Sequence, residues 1–137
     1  LESGEVGRAF KYFREAIRWN PSFYPAHYNL GIFYYGQEKF DKAIFHFLEA
    51  LKVHPQGSEL HCNLAASYEA IHRRDKAKSH YELALKYNPE LIPALLNYGG
   101  ILFEEGEKKK AELCFKKVLG LEPDNNLAKQ YLKSVCS

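Results

Sequence analysis

Four prolines at a constant spacing are the feature that most constrains what this chain can fold into. Pro21, Pro55, Pro89 and Pro123 are equally spaced along the chain. The interval between them is about 34 residues, within the range that indicates an array of repeated structural units. Neighbouring residues keep the same period, in the sets Ala9, Ala43, Ala77 and Ala111, then Phe13, Phe47, Tyr81 and Phe115, then Ala16, Ala50, Ala84 and Val118. A sequence with such a period folds into stacked copies of one supersecondary unit.

Each unit is predicted to be two helices joined by a short turn. A first helix over about residues 25–37 is indicated by four residues at spacings i, i+3, i+4 and i+7, which lie on one stripe of a helix: His27, Leu30, Gly31 and Tyr34. The second helix begins near Asp41, and it ends before Pro55 because a prolyl ring cannot continue the hydrogen-bond ladder. The small Gly31 lets the two backbones approach, while Phe47 fills the space beside it.

A single hairpin of this kind cannot bury both of its apolar flanks, so hairpins must stack, and about three are needed for independent stability. We predict one array over residues 1–137: the second helix of an incomplete unit (1–23), full units over 24–57, 58–91 and 92–125, and a C-terminal capping helix over 126–137. The incomplete unit is expected to expose Phe10, Phe13 and Ile17. The capping helix is expected to face the core with Leu127, Tyr131, Leu132 and Val135.

The pattern of these positions resembles the signature of the tetratricopeptide repeat (TPR) family. It is carried by Leu30-Gly31, Tyr34, Ala43, Phe47, Ala50 and Pro55, and its repeats cover nearly the whole chain. The resemblance implies an all-α, right-handed α-solenoid of helix-turn-helix hairpins whose first helices line a concave side. The chain departs from the family where tryptophan is common, at His27, His61 and Leu95, and Leu102 replaces a tyrosine.

What this family does with its concave side is bind extended or helical peptide segments of other proteins. The candidate binding residues are those rotated away from the inward stripe of each first helix. They are Tyr28, Asn29, Ile32 and Tyr35 in the first unit, Glu59, Cys62, Asn63, Ala66 and Glu69 in the second, and Leu96, Asn97, Gly100 and Phe103 in the third.

Within this set Asn29, Asn63 and Asn97 recur with the same period as the prolines. A carboxamide offers one acceptor and two donors, which suits the backbone of an extended peptide of any sequence. The row is similar to the asparagine ladder in the TPR superhelix of O-linked N-acetylglucosamine transferase. The same amides would equally serve as structural groups that bond only to neighbouring helices, and the sequence leaves both interpretations open.

The charge of the predicted concave face is acidic, from Glu59, Glu69 and Glu104. A carboxylate clamp, as in TPR proteins that bind chaperone tails, needs lysine and arginine in the groove, and RNA binding needs cations for the phosphates. The candidate residues include no lysine or arginine, so both functions are disfavoured. The chain as a whole carries 19 basic and 17 acidic residues, a net charge of +2 that gives no strong field for nucleic acid or an anionic membrane. No apolar run approaches the roughly 20 residues that span a bilayer.

No motif for metal binding or catalysis is found, so no cofactor is expected and the chain is not expected to be an enzyme. The six histidines include no HExxH, and His27 and His61 occupy the same site in two units, which favours packing over metal ligation. The three cysteines, Cys62, Cys114 and Cys136, show no paired spacing and indicate reduced thiols, which favours a reducing compartment such as the cytoplasm.

The hypothesis with most support is a scaffold that binds a peptide segment of a partner protein on its concave face. Two alternatives remain open. The incomplete first unit could pack against a second copy to form a homodimer, or the array could be the substrate-selecting arm of a larger enzyme.

Overall fold

The computed structural model describes residues 4–136, which form eight α-helices and no strand. The helices are α1 Gly4–Trp19, α2 Tyr24–Gly36, α3 Phe40–Val53, α4 Ser58–Ala70, α5 Arg74–Tyr87, α6 Ile92–Glu104, α7 Lys108–Leu121 and α8 Asn126–Val135. The all-α prediction is confirmed. None of these helices is long and apolar enough to cross a membrane.

Proline and turn positions explain where the helices end. Each second helix stops two residues before its proline, as α3 does at Val53 before Pro55. The turns inside the three hairpins contain one residue in the left-handed region, at Glu38 (φ 57°), His72 (φ 63°) and Gly106 (φ 81°). Only the third hairpin has a glycine here, Gly106, and glycine adopts this conformation without steric cost.

The hairpins are held together by a large ring pressed against a small residue. The Phe47 side chain is 1% exposed, and a Cβ placed on Gly31 would lie 2.5 Å from its ring. The third hairpin repeats the arrangement, with Phe115 only 2.8 Å from a Cβ placed on Gly99. At these two positions glycine is required by the close approach of the helices.

The stacking of hairpins places the first helices on the inner side of the array. Along residues 4–136, α2 contacts α4, α4 contacts α6 and α6 contacts α8, whereas no second helix touches the next second helix. Elements that touch each other successively lie on the shorter, concave side of a bent stack. The fold is therefore an α-solenoid whose inner layer is α2, α4, α6 and α8.

The prediction for the surface of α1 was wrong. Phe10, Phe13 and Ile17 are half-buried, not exposed, because they lie on the side of α1 that faces α2. The ring centroid of Phe10 lies 4.5 Å from that of Phe33 on α2. The strongly exposed apolar side chains of α1 are instead Tyr12, at 61%, and Trp19, at 90%.

The prediction for α8 was wrong at one position. Leu127 is 46% exposed, and the residue that packs fully into the core is Ala128. A step of one residue turns the side chain by about 100° around a helix, which is enough to exchange the core for solvent. Tyr131 does face the core side, where its ring stacks on Phe115 with centroids 4.4 Å apart and planes 5° from parallel.

Candidate peptide-binding groove

Two open clefts lie along the inner layer of first helices, and together we call them the groove. The first cleft, about 220 Å³, is lined by Tyr28, Glu59, Cys62, Asn63, Leu91 and Pro93. The second cleft, about 390 Å³, is lined by Tyr35, Ala66, Glu69, Ala70, Tyr81 and Asn97. Each cleft takes residues from at least two successive repeats, so the stacking itself creates the surface.

Eight of the candidate residues identified from the sequence line these two clefts, namely Tyr28, Tyr35, Glu59, Cys62, Asn63, Ala66, Glu69 and Asn97. Five others do not. Asn29 and Ile32 are exposed on α2 outside both clefts. Leu96 is half-buried and packs against the hydrophobic cluster of its own hairpin and α8. Gly100 and Phe103 are covered by Tyr131 of α8, whose hydroxyl oxygen lies 3.0 Å from a Cβ placed on Gly100 and whose ring meets Phe103 edge-on.

Four lining residues were missed by the sequence analysis: Ala70, Tyr81, Leu91 and Pro93. Two of them carried a usable signal. Pro93 stands one full repeat period after Glu59, so the repeat register alone would have included it. Tyr81 replaces phenylalanine at the buried ring position, and a buried tyrosine hydroxyl needs a hydrogen-bond partner. That partner is Glu69, whose carboxylate accepts from the Tyr81 hydroxyl at 2.8 Å.

The three asparagines lie in different settings. Asn29 donates from Nδ2 to the carbonyl oxygen of Pro25 at 2.7 Å, within its own helix. Asn63 donates from Nδ2 to the Tyr28 hydroxyl of the preceding repeat at 3.5 Å, and the Asn97 amide bonds to the Tyr81 hydroxyl. Each amide thus has an internal partner. Asn63 and Asn97 also line the clefts, and their contact with a peptide stays a prediction.

Burial and the charges of the groove carboxylates raise the pKa of the tyrosines around them. Burial, followed by the charge of Glu59, raises the pKa of Tyr28 and of Tyr24. Burial, followed by the charge of Glu69, raises the pKa of Tyr81. These phenols therefore stay neutral and act as hydrogen-bond donors at physiological pH.

Glu104 does not belong with the groove carboxylates, contrary to the sequence-based interpretation. It forms an ion pair with Arg74 at the edge of the hairpin turns. Its neighbour Glu105 pairs with Lys78 at 2.7 Å. The compensated charges thus lie at this edge, and the acidic character of the groove comes from Glu59 and Glu69.

The thiol of the groove cysteine, Cys62, is unreactive. The Cys62 side chain is 6% exposed, and burial, followed by the charge of Glu59, raises its pKa to about 11. A thiol with that pKa is protonated at neutral pH and is a poor nucleophile. Cys62, Cys114 and Cys136 are all free thiols in the structure.

The recurring histidines form pairs that the sequence did not predict. In the first full hairpin Nδ1 of His27 lies 3.0 Å from Nδ1 of His46, and Nε2 of His27 lies 2.7 Å from the carbonyl oxygen of Pro21. The carbonyl oxygen can only accept, so Nε2 of His27 carries its hydrogen and, in the neutral ring, His46 donates to Nδ1 of His27.

The second hairpin repeats this arrangement with His61, His80 and the carbonyl oxygen of Pro55, at 3.0 and 2.9 Å. Burial, and then the paired ring, lower the pKa of His46 and of His80 to about 4. His46 and His80 are therefore neutral near pH 7. Over residues 4–136 no group of three side chains that could hold a metal ion is found.

Stacked helical hairpins with an inner layer of first helices define an α-solenoid repeat protein. Comparison with known families identifies the repeat. The family profile described as "Tetratricopeptide repeat" matches residues 24–56, and the profile described as "YpiA-like, C-terminal tetratricopeptide repeats" matches residues 55–125. The chain belongs to the tetratricopeptide repeat family. No curated protein matches it at a significant level.

Solved structures give the same fold. The chain is similar to MamA, with a TM-score of 0.86 and 18% identity over 96% of this chain and 72% of that one. It is similar to a tetratricopeptide repeat protein from Parabacteroides merdae, with a TM-score of 0.85 and 25% identity over 96% of this chain and 53% of that one. It is also similar to the first TPR of Spaghetti (RPAP3) bound to the HSP90 peptide SRMEEVD, with a TM-score of 0.75 and 26% identity over 80% of this chain and 87% of that one.

Proposed function

We propose that this chain is a protein-interaction scaffold that holds a segment of a partner protein in the groove. The observation that carries this proposal is the pair of clefts between successive first helices, which combine ring faces, amides and carboxylates on one surface. The amides of Asn63 and Asn97 supply donors for backbone carbonyls, and the rings of Tyr28 and Tyr35 supply apolar contact area. A similar structure, the first TPR of RPAP3, is recorded with a bound peptide.

The peptide in that relative, SRMEEVD, carries three acidic side chains. Glu59 and Glu69 would repel such a segment, so we do not extend that ligand to this chain. The same two charges oppose the phosphates of nucleic acid. The partner we propose is a protein segment without a net negative charge, and no catalytic role is assigned to the chain.

The direct test is a peptide array probed with the native chain and with the double variant Asn63→Ala/Asn97→Ala, which removes the two amides that line the clefts. We expect the variant to lose binding of peptides that the native chain retains, because the backbone of the peptide loses its amide partners. A matched variant, Gln37→Ala/Gln56→Ala, removes two exposed amides outside the clefts and should bind normally. Equal binding by all three proteins, with unchanged circular dichroism, would remove the amide row from the mechanism.

We propose self-association through α1 as a second candidate function, favoured by the exposure of Tyr12 and Trp19. No residue of α1 is fully buried, and Trp19 is 90% exposed. Light scattering over a range of concentrations tests it: a dimer that Tyr12→Ser/Trp19→Ser abolishes supports the candidate. The control is Leu113→Ser on α7, which removes an apolar side chain that is 70% exposed. A monomer at all concentrations contradicts it.

A further inference from the structure

Among residues 4–136 the two carboxylates of the groove have no cationic partner. Over residues 4–136 neither Glu59 nor Glu69 has a lysine, arginine or histidine nitrogen within 4.0 Å, although five ion pairs form elsewhere in the same range. Both carboxylates are in residues that remain exposed. Uncompensated charge on a concave surface attracts ligands of the opposite sign.

Each of the two carboxylates has aromatic side chains beside it. In the first cleft the hydroxyl of Tyr28 lies 3.5 Å from Glu59, and the ring of Tyr28 stacks with Tyr24 at a centroid distance of 5.9 Å. In the second cleft Tyr35, which is 40% exposed, lines the same cavity as Glu69, whereas the ring of Tyr81 is fully buried. A carboxylate beside neutral aromatic rings suits an ammonium or guanidinium group, which gains both a salt bridge and a contact with a ring face.

A metal ion does not fit this arrangement. Each cleft offers one carboxylate, and residues 4–136 contain no group of three potential metal ligands. A divalent cation needs several oxygen ligands at once, whereas the charged end of one lysine or arginine side chain needs only one carboxylate and an apolar wall for its methylene groups.

The spacing of the two carboxylates sets the spacing of the cations. Glu59 and Glu69 both belong to α4, ten residues apart, which corresponds to about 15 Å along the helix axis. An extended peptide advances about 3.3 Å per residue, so the same distance is covered by about four or five residues.

We propose that the groove selects a partner segment with two basic side chains about four or five residues apart, one for the cleft at Glu59 and one for the cleft at Glu69. The inference rests on the proposed function, because it names the chemistry of the segment that the groove holds. It also predicts that an acidic peptide such as that of the RPAP3 relative binds weakly to this chain.

The test uses short, end-capped serine-alanine peptides that carry two lysines at varied spacing, two norleucines or two glutamates. Fluorescence anisotropy measures their affinity for the native chain. We expect the lysine peptide with the matched spacing to bind about tenfold more tightly than the glutamate peptide, and added salt to reduce that difference. A norleucine peptide that binds as tightly as the lysine peptide would overturn the inference.

The matched variants are Glu59→Gln/Glu69→Gln and Glu15→Gln/Asp124→Asn. Both remove two negative charges from exposed residues, but only the first removes them from the groove. Glutamine keeps an acceptor for the Tyr81 hydroxyl, so the fold should be retained. We expect the groove variant to lose the preference for lysine and the control variant to keep it. Retention of the preference by both would overturn the inference.

The outcome also separates this inference from the proposed function. If the peptide array yields binders but lysine gives no advantage, the groove binds peptides by other chemistry, and only the inference about basic side chains fails. If no peptide of any charge binds to the native chain, the proposed function fails and this inference falls with it.

Discussion

The hairpins α2–α3 and α4–α5 differ from α6–α7 in what fills the space between their two helices. The first two contain paired imidazoles, at His27 with His46 and at His61 with His80. At the positions that correspond to His61 and His80, the third hairpin has Leu95, which is buried, and Cys114, which is half-buried. The helix lengths are the same in all three hairpins.

The aromatic surroundings differ in the same way. Tyr34 and Tyr68 stack on the second histidine of their hairpins, with centroids 5.5 and 5.7 Å apart, and a lysine lies over each tyrosine. The third hairpin replaces the tyrosine with Leu102, which is 2% exposed. One backbone arrangement therefore accepts a hydrogen-bonded polar interior and an apolar interior, as long as the polar groups find partners.

The largest expected effect breaks the feature that both kinds of hairpin share. Phe47→Ala and Phe115→Ala each remove a buried ring from between two helices, and we expect each to lower the free energy of unfolding by about 3–5 kcal/mol. Urea unfolding measures this. The control is Phe45→Ala on α3, whose ring is 57% exposed and should cost less than about 0.5 kcal/mol. A loss below about 1 kcal/mol at Phe47 would show that its ring does not hold the hairpin together.

A second prediction converts the second hairpin into the third. The single change His80→Cys leaves Nδ1 of buried His61 without its partner, and we expect a loss of about 1–3 kcal/mol. In the double variant His61→Leu/His80→Cys both imidazoles are gone, so the loss should be smaller than in the single variant, since replacing both partners by apolar groups is close to neutral. A double-mutant cycle in urea measures the coupling. Additive losses would mean that the two imidazoles do not interact.

The histidine pairs also predict a dependence of stability on pH. His46 and His80 have a pKa of about 4 in the folded chain, below the ordinary value of 6.5. The unfolded chain therefore binds more protons between these values, and stability should be fully present above pH 6.5 and fall as the pH decreases toward 4.

Because the two rings are half-exposed, solvent screens part of this effect, and we expect it to be smaller than the loss from His80→Cys. Unfolding free energies measured from about pH 7.5 to about pH 5 test it. The double variant, which retains only the pair at His27 and His46, should show a shallower dependence than the native chain. Equal slopes would contradict the assignment.

The smallest expected effect concerns the lysines. Lys42 and Lys76 lie 5.4 Å from the centroids of Tyr34 and Tyr68, and each contact should contribute about 0.5 kcal/mol because both lysines are exposed. Lys110 occupies the same position in the third hairpin, which lacks the tyrosine. We expect Lys42→Ala and Lys76→Ala to lower stability slightly and Lys110→Ala to leave it unchanged. The same loss at all three positions would rule out the ring contact as the cause.

The fold could be predicted from the sequence because each hairpin repeats the same local rules. Prolines mark where second helices end, and the period of small and large residues identifies the faces that pack. Details that depend on contacts between helices could not be predicted in this way. The partner of Glu104 is Arg74, which lies thirty residues earlier in the chain, and the partner of His27 lies nineteen residues later on another helix.

The candidate groove was predictable in part for the same reason. Helical periodicity indicated which side of α2, α4 and α6 faces away from the hairpin interior, and eight of the residues found in this way line the clefts. Periodicity cannot show what a following helix covers. Gly100 and Phe103 have the right rotation on α6, but Tyr131 of α8 lies over them.

Tyr131 stands one repeat period after Asn97, so a ring takes the fourth place in a series whose first three places hold amides. Within residues 4–136 the inner surface consequently differs at its two ends: on α8 it carries the ring of Tyr131, which lies over Gly100 and Phe103, and on α2 it carries the amide of Asn29. A partner backbone that followed this surface from repeat to repeat would therefore meet different chemistry at its two ends, and its two orientations would not be equivalent.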